Sequence, residues 1–492
     1  LLVLVAAPMR RSGAYTLPDF AESRLESVAV RRTASVLVVL IGWLYLLPQL
    51  QGAGLTLRTV TGAPPWVGAL VVALVVVFNV VAGGMRSITF VQAFQYWLKL
   101  TAISLPVVAM AVVWHAHGAP DPAAGGYPTF PSARTVQVAA DTTLTVRTPL
   151  DVVADGTLDD RPVHGPVTLG PGRHDVGRGT ELSFAAGAEV PHVARIEAAR
   201  GDRWALPLSG AGGRGHPLYA TYSLMLALFF GTMGLPHVLV RFYTNPDGRA
   251  ARRTALGVLV LLGGYYLFPA VYGALGRLYA PDLLLTGRTD ATVLLLPERL
   301  VDGVPGQLLS ALVTAGAFAA FLSTSSGLAV SVGGVLSQDV LRGSVRDFRI
   351  ATVLAVAVPF ALSLLVVSAA VADIVGLAFA VAASSFCPLL LLGIWWRRLT
   401  DAGAIAGLVV GGGLAAVASG VTLGRGTGTA TSWSGALLVQ PAAWSMPLAF
   451  LVMVGVSLRT QHRVPRGVSR TMVRLHTPEA LDLDRTPPPF AR

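Results

Sequence analysis

Charged residues are scarce in this chain. Only 13% of its 492 residues are Asp, Glu, Lys or Arg, whereas an ordinary soluble domain carries roughly 25%. Hydrophobic residues make up 53% of the chain, and the mean hydropathy is +0.63. So little charge would not cover the surface of a soluble protein of this length. The composition therefore predicts an integral membrane protein.

Cysteine and lysine are scarcer still. A single cysteine, Cys387, excludes a disulfide framework and a cysteine-cluster metal site. Lys99 is the one lysine, so arginine supplies the net charge of +11. Because cytoplasmic loops of membrane proteins collect basic residues, we attribute this excess to topology and expect no nucleic-acid partner.

Soluble catalytic arrangements are also missing. The sequence has no His-Glu-x-x-His motif and no recognisable Ser/His/Asp set, and the glycines at 411–413 lack the lysine of a phosphate-binding loop. The sequence therefore predicts no enzyme and no organic cofactor.

The chain is instead rich in apolar stretches long enough to cross a bilayer, which takes about 20 residues. Arginines such as Arg86 concentrate in alternate loops and after the last stretch, which predicts a cytoplasmic C-terminus. The opening run Leu1–Val5 is too short to cross and lacks the charged start of a signal peptide, so we expect it to be the tail of a helix that begins upstream. The ten predicted spans are 34–54, 64–83, 88–114, 216–240, 254–277, 306–338, 350–373, 374–396, 402–422 and 436–458.

The segment 115–215 differs from the rest because it is polar and rich in glycine, proline and aspartate. Short runs at 135–138, 143–146 and 181–184 alternate with the period of a strand, which predicts a small β-rich extracytoplasmic insert. Its histidines are expected to be exposed loop residues rather than metal ligands: His164, His174 and His192. The predicted domains are the first part of the membrane core at 1–114, the insert at 115–215, the rest of the core at 216–458, and a disordered cytoplasmic tail at 459–492.

Three spans are interrupted by small or polar residues. Two glycines and a proline at Gly231–Pro236 would break a helix, and at membrane depth such a break either lines a binding cavity or is a packing kink. Four consecutive hydroxyls at Ser323–Ser326 either bond to the preceding helical turn or ligate a hard cation such as Na⁺. A third interruption around Ser384 also fits a simple contact between helices.

With these motifs the chain resembles the sodium:solute symporter family, most closely its cation/acetate (monocarboxylate) symporter branch. The resemblance reaches to about residue 460, apart from the insert, and implies an all-α membrane protein with a LeuT-like fold. In that fold two inverted five-helix repeats place ion and solute near the midplane of the bilayer. The stretches that carry the resemblance are Tyr15–Phe20, Gly83–Arg86, Phe90–Gln92, Gly231–Phe242, Ala319–Gly327, Ser337–Asp339 and Gly376–Ala380.

The resemblance also implies a sodium site. In this family an Ala-x-x-Ser-Ser/Thr group on the eighth core helix lies sixteen residues before an aspartate, and Asp339 thereby selects Ser323. The hydroxyls of Ser323 and Thr324 and the carbonyl of Ala320 are then the expected Na⁺ ligands. Further ligands are expected on a first core helix that this sequence does not contain.

For the solute, the interruption at 231–236 is expected to expose backbone N–H groups that favour a carboxylate. Thr232 is expected to add a hydrogen-bond donor. The predicted solute-site residues are Gly231, Thr232, Gly234, Pro236, Gln49 and Ser384.

Lys99 lies inside a predicted span, where an ionisable residue is a functional candidate by default. In the first, functional interpretation, Lys99 replaces a cation or carries a proton. In the second, structural interpretation, its ammonium group is held by carbonyls or reaches towards the interface. The intact hydroxyl pair favours the second interpretation.

We therefore expect a secondary active symporter of the plasma membrane that couples Na⁺ entry to uptake of a small monocarboxylate such as acetate. The expected partners are the solute and the lipid bilayer, without an obligate protein partner. The alternatives are the same fold carrying proline or pantothenate, coupling to H⁺, and a transporter-like sensory module. The tail after Leu458 is too short to hold a kinase, which disfavours the sensory module.

Overall fold

The computed structural model describes residues 2–124, 126–138, 141–193, 200–204, 216–243, 245–286, 288–341, 343–365, 371–425 and 432–479, with the backbone alone at 84–90 and 202–203. Helices dominate, as expected, and a small sheet interrupts them. The helices are α1 (Leu2–Ser12), α2 (Leu17–Leu25), α3 (Val28–Thr61), α4 (Pro65–Ala116), α5 (Gly201–Trp204), α6 (Pro217–Gly234), α7 (Pro236–Tyr243), α8 (Gly248–Tyr265), α9 (Leu267–Tyr279), α10 (Asp282–Leu285), α11 (Thr292–Leu300), α12 (Gly303–Asp339), α13 (Val345–Leu365), α14 (Val371–Trp395), α15 (Asp401–Gly407), α16 (Gly413–Arg425), α17 (Trp433–Val439), α18 (Ala442–Arg459) and α19 (Val468–His476).

The prediction of ten membrane spans is confirmed. Among the described residues, ten helical segments are long and apolar enough to cross a bilayer, and each predicted span coincides largely with one of them. The chain is therefore a multi-pass membrane protein. The segments are Val28–Thr61, Pro65–Gly83, Val91–Ala116, Pro217–Tyr243, Gly248–Tyr279, Gly303–Asp339, Val345–Leu365, Val371–Trp395, Asp401–Arg425 and Ala442–Arg459.

Helix α4 joins two predicted spans. We expected a loop containing Arg86 between them, and this expectation is wrong, because the helical backbone runs without interruption from Pro65 to Ala116. The intervening sequence has glycines but no proline, so every residue can continue the hydrogen-bond ladder. At 1.5 Å per residue, 52 residues would extend about 78 Å, more than twice the ~30 Å hydrocarbon core. The apolar segments Pro65–Gly83 and Val91–Ala116 are each of spanning length, but they belong to one continuous helix that extends well beyond a single crossing.

Helix α14 lies at the centre of the helical part of the fold. Nearly all of its residues from Ile374 to Leu390 are buried, and it packs against α3, α6 and α18. Small residues cluster between Gly376 and Ser385, and they allow neighbouring helices to approach closely. By contrast, the apolar side chains of α8 from Leu256 to Leu262 are mostly exposed.

The segment predicted to be β-rich contains a seven-stranded antiparallel sheet. Its spatial order is β1-β6-β3-β5-β2-β7, and β4 pairs with β3. The β3–β4 hairpin turns at Asp159 and Asp160, whose φ angles of 49° and 60° fit a two-residue type I′ turn. The strands are β1 (Arg134–Gln137), β2 (Thr142–Val146), β3 (Leu150–Leu158), β4 (Arg161–Leu169), β5 (Gly172–Val176), β6 (Glu181–Phe184) and β7 (His192–Val193).

The three predicted strand runs match β1, β2 and β6, whereas the long β3–β4 hairpin was not predicted. Proline and glycine in β4 interrupt the alternation, and most of that strand is exposed. The sheet has its own apolar core, in which the Phe130 and Phe184 rings stack with centroids 4.6 Å apart. Leu285 of α10 packs into this core and so attaches the sheet to the helices. Among the described residues no group of His, Cys, Asp and Glu could hold a metal ion.

The prediction of a disordered tail from residue 459 is wrong for the part that the structure describes. Helix α19 forms there, and its Met472 and Leu475 are buried. The carboxylate of Glu479 accepts the Gly248 N–H at 2.7 Å and pairs with Arg11 at 3.3 Å. Burial of two apolar side chains and this polar contact stabilise a segment whose composition alone indicated disorder. Residues 480–492 lie outside the described part.

Candidate functional site

The predicted ion ligands lie near the middle of α12. Ala320, Ser323 and Thr324 are spaced i, i+3 and i+4, so they occupy one face of the helix. Ser323 is 8% exposed, and Ala320 and Thr324 are partly buried. Two other hydroxyls of α12 bond to the preceding turn, Thr314 to the Ser310 carbonyl and Ser331 to the Gly327 carbonyl, both at 2.9 Å, whereas the buried Ser325 hydroxyl has no partner among the described residues. Within the described residues the Ser323 and Thr324 hydroxyls make no such bond. Their oxygens are therefore not engaged by the preceding turn.

The structure brings two residues to this turn that the sequence analysis had not selected. Gln92 of α4 is buried, and its Nε2 donates to the Ser323 carbonyl at 2.9 Å. Arg241 of α7 donates to the Gln92 Oε1 at 2.7 Å. Both residues belong to stretches that carry the family resemblance, but nothing in their spacing indicates that they meet.

A cavity of about 180 Å³ lies beside Gln92, between α4 and α12. Gln95, one turn further along α4, also lines it, and its buried Oε1 has no hydrogen-bond partner among the described residues. Lys99 follows Gln92 by two turns on the same face of α4 and is partly buried. The complete lining is Phe78, Asn79, Ala82, Gly83, Val91, Gln92, Gln95 and Ser326.

The predicted helix break is present at Leu235, which has extended backbone angles (φ −79°, ψ 119°) between α6 and α7. Gly231 and Gly234, just before it, are buried against α14. A Cβ atom on Gly231 would lie 2.4 Å from the Phe379 carbonyl oxygen, and one on Gly234 would lie 2.5 Å from that of Ala382. The glycines are therefore required for close packing of α6 on α14, whatever else the break does.

The other predicted solute residues do not all converge on this break. The Thr232 hydroxyl donates to the Leu228 carbonyl of its own helix at 2.6 Å. Ser384 is 2.7 Å from the Ser445 hydroxyl of α18, and so faces away from α6. The physical reason is helical geometry, because residues two apart on α14, such as Ala382 and Ser384, point in nearly opposite directions. The expectation that Ser384 borders the same cavity is not supported. Pro236 is buried at the start of α7.

An aromatic cluster lies beside the break instead. The Tyr45 ring of α3 stacks on His237 with centroids 5.3 Å apart and meets Phe379 edge-on at 5.5 Å. The His237 Nδ1 is buried and has no hydrogen-bond partner among the described residues. Gln49 is partly buried one turn after Tyr45, on the same face of α3. The sequence contained a signal for His237, because it directly follows the helix-breaking proline.

The aspartate that selected Ser323 has a structural partner of its own. Asp339 accepts from Arg31 at 2.7 Å and from the Ser35 hydroxyl, and Arg31 also pairs with Glu22 at 2.6 Å and Asp19 at 3.1 Å. This network ties the end of α12 to α2 and α3. Ser323 lies about 24 Å from this anchored end of the helix, at 1.5 Å per residue.

Comparisons with known proteins agree with this architecture. The family model of the sodium:solute symporter family matches residues 1–152 and 208–411. A monocarboxylic acid transporter of Corynebacterium glutamicum is 28% identical over 430 residues, which cover 83% of this chain and 66% of that relative. An uncharacterized symporter of Cupriavidus necator is 27% identical over 94% of this chain and 80% of its own length. The uncharacterized symporter YwcA of Bacillus subtilis is 26% identical over 97% of this chain and 82% of its own length.

Proposed function

Because the chain belongs to the sodium:solute symporter family, we propose that it acts as a secondary symporter in the plasma membrane, coupling Na⁺ entry to uptake of a small monocarboxylate such as acetate. The family match and the transporter relatives confirm the expectation of a transporter rather than an enzyme. Beyond this, we propose the coupling ion, the solute and the direction of coupling.

One observation carries the proposal for the ion. Ser323 and Thr324 present hydroxyl oxygens without hydrogen-bond partners among the described residues, near the middle of a helix of 37 residues. Hydroxyl and carbonyl oxygens suit a hard monovalent cation without the cost of burying a carboxylate. The Ala320 carbonyl, on the same face, is the third proposed ligand from this helix.

The solute assignment rests on two supports. The Corynebacterium glutamicum relative is named a monocarboxylic acid transporter. In this chain the helix break at Leu235 lies beside the partly buried His237, whose buried Nδ1 lacks a partner among the described residues. We propose that His237 and Gln49 supply the polar contacts to the solute carboxylate, beside the backbone of the break at 231–236.

The decisive experiment is a solute-uptake panel in cells expressing the protein, with Na⁺ replaced by choline. Acetate, propionate and pyruvate are compared with proline and pantothenate. Uptake of a monocarboxylate that disappears in choline supports the proposal. Na⁺-dependent uptake of proline or pantothenate alone would retain the ion assignment and overturn the solute assignment.

A second candidate is coupling to H⁺, and Lys99 is the observation that favours it. A lysine within a span is costly unless it serves a function or has a partner, and Lys99 lies two turns from Gln92 on the same face of α4. Uptake that persists in choline, rises at acidic external pH and disappears in Lys99→Met would select H⁺ coupling over Na⁺.

A further inference from the structure

We propose that Gln92 is a positioning residue that holds the ion-binding turn of α12 and links it to α7, the second half of the broken helix. The inference rests on the proposed sodium site. It assigns to Gln92 a role in Na⁺ affinity that is exerted through Ser323 rather than by direct contact with the ion.

The orientation of the Gln92 amide is fixed by its two partners. A guanidinium has only donors, so the Gln92 oxygen faces Arg241 at 2.7 Å. The amide nitrogen is thereby directed to the Ser323 carbonyl at 2.9 Å. With the side chain buried, a flipped amide would place its N–H groups against the guanidinium and its oxygen against the carbonyl. One arrangement is therefore strongly preferred.

The contact falls on the turn that carries the proposed ligands. A carbonyl oxygen has two lone pairs, so the Ser323 carbonyl can accept from Gln92 in addition to its bond within the helix. The extra donor restrains the backbone of Ser323, and hence the direction in which its hydroxyl points. Residues that hold ligands in this way commonly change metal affinity by about 10- to 100-fold when they are removed.

The same glutamine connects the ion turn to the solute region. His237 and Arg241 are four residues apart and share one face of α7. A Cβ on Gly327, one turn after Ser323, would lie 3.7 Å from Gln92 Nε2 and 3.9 Å from both the Arg241 guanidinium and the His237 Cβ. Gly327 of α12 thus lies next to all three groups, with room for a Cβ at ordinary contact distance.

This arrangement gives a physical route for coupling. A shift of α7 relative to α12 has to stretch or break the bond between Arg241 and Gln92, which would release the restraint on Ser323. Ion affinity would then depend on the position of α7, and by linkage a bound ion would favour the position in which the bond is made.

The test compares Gln92→Met with Gln95→Met. Both changes replace an amide with an apolar side chain of similar length on the same face of α4, and both residues line the same cavity. Only Gln92 bonds to Ser323 and Arg241. We expect Gln92→Met to raise the Na⁺ concentration for half-maximal uptake about tenfold. The solute KM at saturating Na⁺ should stay unchanged, and Gln95→Met should behave as the unmodified protein does.

A second variant covers the case in which Gln92→Met fails to fold. Gln92→Asn retains an amide but is one methylene shorter, so it cannot reach both partners, and a smaller loss of Na⁺ affinity is expected. Na⁺-dependent thermal stabilisation of the purified protein provides a readout that does not require transport. Its midpoint should shift to higher Na⁺ in both Gln92 variants.

The outcomes separate this inference from the proposed function. If Ser323→Ala weakens Na⁺ dependence but neither Gln92 variant does, the positioning role is overturned and the sodium site stands. Equal effects of Gln92→Met and Gln95→Met would also overturn it, since they would point to the polarity of the cavity. If the unmodified protein shows no Na⁺ dependence in uptake or stability, the proposed function itself fails.

Discussion

The two halves of the candidate site use their polar groups in different ways. On α12, the Ser323 and Thr324 hydroxyls have no partners among the described residues, and Gln92 restrains the turn from outside. On the broken helix, the Thr232 hydroxyl is already bonded within α6, and Gly231 and Gly234 serve close packing. The ion half thus offers side-chain oxygens, whereas the solute half offers a backbone break beside an aromatic and histidine cluster. The helix break at 231–236 looks most like a binding site in the sequence, but its glycines have the clearest packing role in the structure.

The largest effect is expected from Gly234→Val, which tests the packing role. Its Cβ would lie 2.5 Å from the backbone oxygen of Ala382, and a backbone atom cannot move aside cheaply. Overpacking of this kind costs about 1–3 kcal/mol or more. We expect little folded protein in the membrane and no uptake, measured by fluorescence-detected gel filtration and by solute accumulation.

Gly257→Val is the matched control, because nothing lies within 4 Å of a Cβ at Gly257. It should retain both folding and uptake. A Gly234→Val protein that folds normally but does not transport would show that the break has a role beyond packing. Normal uptake by Gly234→Val would show that the solute half of the site does not depend on this break.

A smaller effect is expected from Ser323→Ala and Thr324→Ala, which test whether the hydroxyls bind the ion. Loss of a bond to a charged group costs about 1.5–3 kcal/mol, so Na⁺ affinity should fall roughly tenfold or more. The measurement is the Na⁺ concentration that gives half-maximal uptake. Ser325→Ala is the control, because Ser325 lies about 200° around the helix from Ser323 and so points away from the proposed ligands. Unchanged Na⁺ dependence in both test variants would remove these residues from the site.

His237→Phe tests the polar part of the solute half. The ring can still stack on Tyr45, but the nitrogens are lost, and with the backbone of the break still in place the net loss of one hydrogen bond costs about 0.5–1.5 kcal/mol. We expect the solute KM to rise severalfold while half-saturation by Na⁺ stays constant. An unchanged KM would mean that this histidine serves packing alone, and would leave the backbone as the chief polar component of the solute half.

The smallest effect is expected in the sheet, which lies outside both halves. The His174 Nδ1 donates to the Asp159 carboxylate at 2.8 Å, and this hydrogen bond raises the pKa of His174 and lowers the pKa of Asp159. The raised histidine pKa stabilises the fold at pH below its ordinary value of 6.5, and this contribution is lost as pH rises through the raised pKa.

Asp159→Asn should therefore lower the pKa of His174, as followed by NMR titration, and should leave uptake unchanged. Both side chains are partly exposed, so solvent screening keeps the effect on stability small. A change in Na⁺ or solute dependence in this variant would show that the sheet communicates with the site.

Much of the site was predictable as a set of local features, but its assembly was not. The hydroxyl run and the helix break are visible in the sequence, since both depend on neighbouring residues. Ser384 was misplaced because the sequence does not say which face of α14 meets α6. Gln92 and Arg241 were missed for the same reason, as they lie 149 residues apart and meet only through packing.

The sequence by itself determined the membrane character, the ten spans, the break near Pro236 and the strand-rich segment, because hydrophobic length, helix-breaking residues and residue alternation act over a few turns or strands. Tertiary structure alone decided which polar groups remain available. Ser384 found a partner on α18, whereas among the described residues Ser323, Thr324 and the Nδ1 of His237 did not. The physical reason is that a buried polar group is defined by what packs against it, and helices distant in the chain supply those neighbours.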